Sequence, residues 1–137
     1  MIRLEVATKN HIEQAVVSCK DLHKGEVFCP SPNCHAFVNG DKVVALVDLQ
    51  FIAPGVASLT AVVTNHVYEC RVDFARSCVE SLDYLINLYG LRRIGMDVRA
   101  SSKEAIRFAK FLGFTHEGTH KNFYEDGESL LSFGRVR

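Results

Sequence analysis

The chain of 137 residues is 47% hydrophobic and balances sixteen basic against sixteen acidic side chains. That length suits one domain, residues 1–137, able to bury its own core, and the zero net charge offers no broad field for nucleic acid, anionic lipid or an acidic partner. No apolar run reaches the roughly 20 residues of a membrane span, and MIRLEVATKN lacks the apolar core of a signal peptide, so a soluble, cytoplasmic protein is expected. Five cysteines, at 19, 29, 34, 70 and 78, are odd in number and lack the spacing of a secreted disulfide scaffold, so reduced thiols are expected.

In chain order, Ile2, Leu4 and Val6 alternate with polar neighbours, which is strand periodicity. Thr8 or Asn10 can cap the helix that follows, whose Ile12, Ala15, Val16, Cys19 and Leu22 share one face. HKGEVFCPSPNC is broken by Gly25, Pro30 and Pro32 and reads as the most mobile loop. CHAFVNGDKVVALVDLQF predicts two strands about Asn39-Gly40-Asp41, because Asn-Gly supplies the positive φ angles of a tight hairpin. GVASLTAVVTN is a further β-rich run. RVDFARSCVESLDYLINLYG places Phe74, Cys78, Leu82, Leu85 and Tyr89 at helical spacing and stops at Gly90.

RRIGMDVRA is the next strand, and SSKEAIRFAKFLGF the next helix. Ser101 and Glu104 have the spacing of a capping box, Ala105, Phe108, Ala109 and Leu112 form its apolar face, and Gly113 ends it so that Phe114 can enter a strand at once. FTHEGTHKNFYEDGESLLSFGRV predicts two final strands about Asp126-Gly127. The order describes an α/β fold, a mixed, largely antiparallel central sheet of about six to seven strands flanked by helices.

Two side chains past the third β-rich run of the middle segment, His66 and Glu69, have the chemistry of a general base, although exposed loop residues would look the same. Cys29, Cys34 and His35 in CPSPNCH are ligand types for zinc, but no second ligand pair follows, and no metal is expected. Cys29 as a nucleophile would need a lowered pKa and a histidine in space. Phe108, Phe111 and Phe114 read as packing residues, since stacking on bases would require a basic groove.

RRIGMDVRASSKEAIRFAKFLGFTHEG resembles the fifth strand, fourth helix and Gly-Phe entry to the sixth strand of the GCN5-related N-acetyltransferases, and the element order of the whole chain is theirs. GFTHEG and YEDGESLLSFGRV look most like the ribosomal-protein alanine acetyltransferase branch. The resemblance implies acetyl-CoA as cosubstrate and direct attack by an acceptor amine, of a small molecule or of a protein N-terminus or lysine. It places the end of the fourth strand, Thr64 and Asn65, against the pantetheine arm. It assigns CRVDFARS to the pyrophosphate loop, with Arg71, Val72, Asp73, Ala75 and Arg76 around the phosphates.

Three positions depart from that family's pattern. Asp73 stands where its central glycine is expected and could itself cap the helix; Ala109 replaces a tyrosine often proposed as the general acid; Ser102 replaces a CoA-facing asparagine. These departures, with the small size, also resemble degenerate acetyltransferase-like proteins of tailed bacteriophages. They keep open a non-catalytic binding or assembly protein of the same fold.

Overall fold

In the computed structural model, residues 2–19 and 31–137 are described. Seven strands form one mixed sheet in the order β1-β2-β3-β4-β5-β7-β6: β1 (Ile2–Val6), β2 (Cys34–Asn39), β3 (Lys42–Ala53), β4 (Val56–Val63), β5 (Arg93–Arg99), β6 (Thr115–His120) and β7 (Leu130–Val136). Among the described residues three α-helices accompany them, α1 (Lys9–Ser18), α2 (Arg71–Tyr89) and α3 (Lys103–Phe111), with a 3₁₀ turn, Asn65–Glu69, that periodicity does not foretell. The chain divides into two compact units, residues 1–50 with 60–84, and residues 51–59 with 85–137.

In the first unit, β1 pairs antiparallel with β2, and β2 with β3 through the turn where Gly40 has φ +65°. The expected hairpin is therefore present. Alternation along β2 sends Ala36 and Val38 to one face and Phe37 to the other. Ala15 of α1 packs with Cys34, Ala36, Val38, Val43, Leu46 and Val62, with Ile12 and Cys19 beside them. Phe37 instead meets Phe74 of α2 edge-on, ring centroids 5.4 Å apart. The capping residue of α1 is Thr8, whose hydroxyl accepts from His11 N–H while His11 Nδ1 accepts from Thr8 N–H.

Expectation and structure part company at the margins of this unit. Leu4 and Val6 are exposed, because β1 is the edge strand and has a neighbour on one side only. Val16 is exposed too, and the predicted Leu22, Gly25, Pro30 and Cys29 fall outside the described residues. Asp48, 1% exposed, is a buried carboxylate; it accepts hydrogen bonds from Ser31 N–H at 3.1 Å and Ser31 Oγ at 2.6 Å, which offset its desolvation.

In the second unit, β5 pairs antiparallel with β7 along its whole length and β7 with β6, while residues 56–58 of β4 run parallel to Arg93–Gly95. Ala109 and Leu112 of α3 are buried, and Gly113 takes φ +90°. Its N–H donates to Lys110 O and that of Phe114 to Ala109 O, so the helix closes by the left-handed motif that the glycine predicted.

The start of α3 differs from expectation. Ser102, not Ser101, occupies the cap position and makes no side-chain cap bond. Ser101 is engaged by Glu128, which accepts from its N–H at 2.9 Å and from its hydroxyl, and from Arg99 at 3.0 Å. Phe111 is exposed and stacks on Phe108, so the packing role foreseen for all three phenylalanines holds for Phe114 but not for Phe111. The Asp126-Gly127 turn exists, with Gly127 at φ +85°, but it lies inside a connection of residues 121–129 rather than joining the strands directly.

Candidate functional site

The residues singled out between 64 and 76 lie in one continuous stretch of the first unit, and three local rules place them. Thr64 is fully buried and ends β4: its N–H donates to Val44 O at 2.9 Å, its hydroxyl donates to Val43 O at 2.7 Å and accepts from His66 N–H, and its carbonyl accepts from Val67 N–H. A threonine so engaged anchors the following turn and leaves little with which to pair an outside chain. The burial alternation of β4 breaks earlier in the strand, where Thr60 and Ala61 are both exposed.

The 3₁₀ turn then carries Asn65, His66 and Glu69. Glu69 is ion-paired with Lys42 at 3.4 Å, both side chains about half exposed. The ring of His66 is half-buried and has no hydrogen-bond partner among the described residues. Of the two candidate bases, His66 is therefore the one without a side-chain partner among the described residues.

The turn ends at Cys70, and α2 begins at once. Its first backbone bond runs from Phe74 N–H to Cys70 O at 2.8 Å, leaving the N–H groups of Arg71, Val72 and Asp73 without a backbone partner among the described residues. Such a terminus favours anions through these donors and through the helix dipole. Asp73 is not the N-cap: it is the third helical residue, because the helix starts three positions earlier than its carboxylate suggested. It bridges Arg76 at 3.9 Å, and both are largely exposed. Arg71 lies over the Tyr68 ring at 5.5 Å, and Val72 is exposed while Ala75 is half-buried.

Three of the described cysteines are poorly suited to act as thiolates. Burial pushes Cys78 up to about 12, and burial together with the Asp48 charge pushes Cys34 up to about 11. Cys70 is raised by burial first and then by the Glu69 and Asp73 carboxylates, which oppose the helix terminus beside it. His35 Nδ1 lies 3.3 Å from Asn33 O. No group of three metal-ligand side chains occurs among the described residues.

Sequence reasoning missed one element of this unit. A cleft of about 330 Å³ is lined by Asn10, Glu13, Gln14 and Val17 of α1, with Ser18, Val43 and His66. The 10-13-14-17 spacing is legible as one helical face, but its meeting with Val43 and His66 is a product of the fold. Ser102 and Ala109 belong to the second unit: Ser102 is half-buried at the start of α3, and Ala109 is fully buried against the sheet.

This strand and helix order defines the fold of the GCN5-related N-acetyltransferases. Solved structures similar to it include the ribosomal-protein-S18-alanine N-acetyltransferase from Escherichia coli, 20% identical, TM-score 0.75, covering 99% of this chain and 94% of that one. Ard1 from Thermoplasma volcanium is 16% identical with TM-score 0.82, covering 98% of this chain and 97% of that one. An acetyltransferase of the GNAT family from Bacillus anthracis is 13% identical with TM-score 0.75, covering 98% and 94%. No protein-family model matches the chain, and no curated protein sequence matches it. At these identities the likeness is one of fold.

Proposed function

We propose that the chain is an N-acetyltransferase that moves an acetyl group from acetyl-CoA to an amine, in the cytoplasm. The observation that carries this reading is the start of α2, where three N–H groups without a backbone partner among the described residues follow the 3₁₀ turn that leaves β4, in a fold shared with acetyltransferases. Acetyl-CoA would supply the acetyl thioester: the amine nitrogen bonds to the acetyl carbon, the carbon–sulfur bond breaks, and CoA leaves as the thiolate. The N–H groups of residues 71–73 would hold the pyrophosphate, with Arg71 and Arg76 in support, and the exposed edge at Thr60 and Ala61 suits the pantetheine arm better than Thr64 and Asn65 do. His66 would take the proton that the ammonium must lose before it can attack. Positioning supplies much of the rate.

Asp73 works against this assignment. Its carboxylate lies in the first turn, where it suits the helix dipole and repels a phosphate. Asp73→Asn removes the charge and keeps the shape, so CoA should bind about fivefold tighter in calorimetric titration at low salt, with the gap narrowing as salt rises. Failure of both forms to bind CoA at millimolar concentration would sink the transferase. It would leave the second reading, a binding or assembly protein of the same fold, which Asp73 and the absence of a tyrosine at Ala109 favour.

A further inference from the structure

We infer that β1 is the contact edge of a symmetric dimer, pairing antiparallel with β1 of a second copy of this chain about a twofold axis at Leu4. The strand stands at one end of the sheet order and, among the described residues, pairs only with β2. The N–H of Ala7 donates to Cys34 O at 3.0 Å, one step beyond that pairing. Backbone groups of an antiparallel pair alternate in direction, so those of Arg3 and Glu5 turn to β2 and those of Ile2, Leu4 and Val6 turn to the open edge. Leu4 is 37% and Val6 68% exposed, an apolar row on a strand whose outward donors and acceptors are a template for another strand. At the other end of the order β6 is blunted: THEGTH is polar, and its ladder is interrupted between His116 and Gly118. The ladder of β1 runs from Ile2 to Val6 without such a break.

The side chains select both the partner and the register. Faces match only when the axis falls on a residue, because a slip of one residue turns a strand over. An axis at Arg3 sets that arginine against its own copy, and an axis at Glu5 sets two glutamates together; like charges directly opposite are destabilising. At Leu4 the strand is complementary to itself. Arg3 faces Glu5 of the second copy and Glu5 faces its Arg3, while Leu4 meets Leu4 in a hydrogen-bonded pair and Ile2 meets Val6. Within one chain Arg3 Nε lies 3.3 Å from Glu5 Oε1 with both side chains partly exposed, so each remains open to a second opposite charge. A strand of five residues buries little area, so the dimer is weak and reversible. Nothing in this pairing depends on the transferase reading.

The test uses the full chain, in sedimentation velocity from about 10 µM to about 1 mM and in amide hydrogen exchange. Dimer should grow with concentration, and the Leu4 and Val6 amides should gain protection with it, while the Glu5 amide, turned to β2 in either state, should change little. Arg3→Glu alone and Glu5→Arg alone should each weaken self-association about tenfold. An equimolar mixture of the two should associate again, since each chain then meets the opposite charge, and that recovery also shows that neither variant has lost its fold. Both substitutions in one chain should dimerise as the wild type does. A chain that stays monomeric throughout would overturn the inference and leave the edge to a strand of another protein. So would single variants that dimerise as readily as the wild type, a mixture and a double variant that both stay monomeric, or protection that grows elsewhere than at Leu4 and Val6.

Discussion

The stretch from Thr64 to Arg76 and the segment from Arg93 to Ser132 are both rich in polar side chains, yet they use them differently. In the second, polar groups are spent on one another. Ser132 Oγ donates to Asp97 Oδ1 at 3.0 Å and lies 2.9 Å from His120 Nε2; Glu128 ties Ser101 to Arg99, whose guanidinium lies 3.5 Å over Tyr124; and Glu117 holds Arg93. In the first, Thr64 is fully engaged, but among the described residues the His66 ring has no hydrogen-bond partner and the three N–H groups that open α2 have no backbone partner. A saturated polar network specifies structure, and unsatisfied donors and acceptors at the surface are what a ligand can use.

If that contrast is right, substitutions in the second unit should cost stability and those at the start of α2 should cost little. The largest effect is expected from Ala109→Tyr. This residue is fully buried, so the phenol cannot enter without lifting α3, and overpacking of this kind costs about 1–3 kcal/mol or more in denaturant unfolding. An unaltered midpoint would show that the helix rides loosely and that the absent acid could be restored by mutation. Gly113→Val comes next, at about 1–2 kcal/mol, because a β-branched residue is forced to φ +90°. By contrast Asp73→Asn should move the midpoint little.

The smallest effect concerns Glu128. Its hydrogen bonds from Ser101, and then from Arg99, hold its carboxyl below the ordinary carboxylate range. A depressed folded pKa means stability that is present above the unfolded value and lost as pH falls through the lowered folded value. Melting curves of wild type and Glu128→Gln should therefore differ at neutral pH and converge in acid. A gap that persists in acid would mean that the clasp works by shape and not by charge.

How far the sequence could be read follows the same division between local and distant causes. The Asn39-Gly40 hairpin and the Gly113 helix end are written in adjacent residues, and both are present. The capping box at Ser101 has the right spacing and fails, because a carboxylate 27 residues away takes the serine first. Asp73 lies three positions past the true cap for a related reason: α2 is entered through a 3₁₀ turn too short to show periodicity, so its start at Arg71 follows no cap-type side chain. His66 could be named from sequence as a base; that it shares a cleft with Glu13, 53 residues earlier, could not.

The anchoring of Thr64 also bears on motion. With its amide, hydroxyl and carbonyl all committed, and its hydroxyl fixed to the backbone of β3, the turn that carries His66 is indexed to that strand rather than hung from a hinge. A residue so held cannot absorb the backbone rotation that hinge closure demands. Whatever moves when a ligand enters or a product leaves must therefore swing about other points, with His66 as the fixed reference against which that movement is measured.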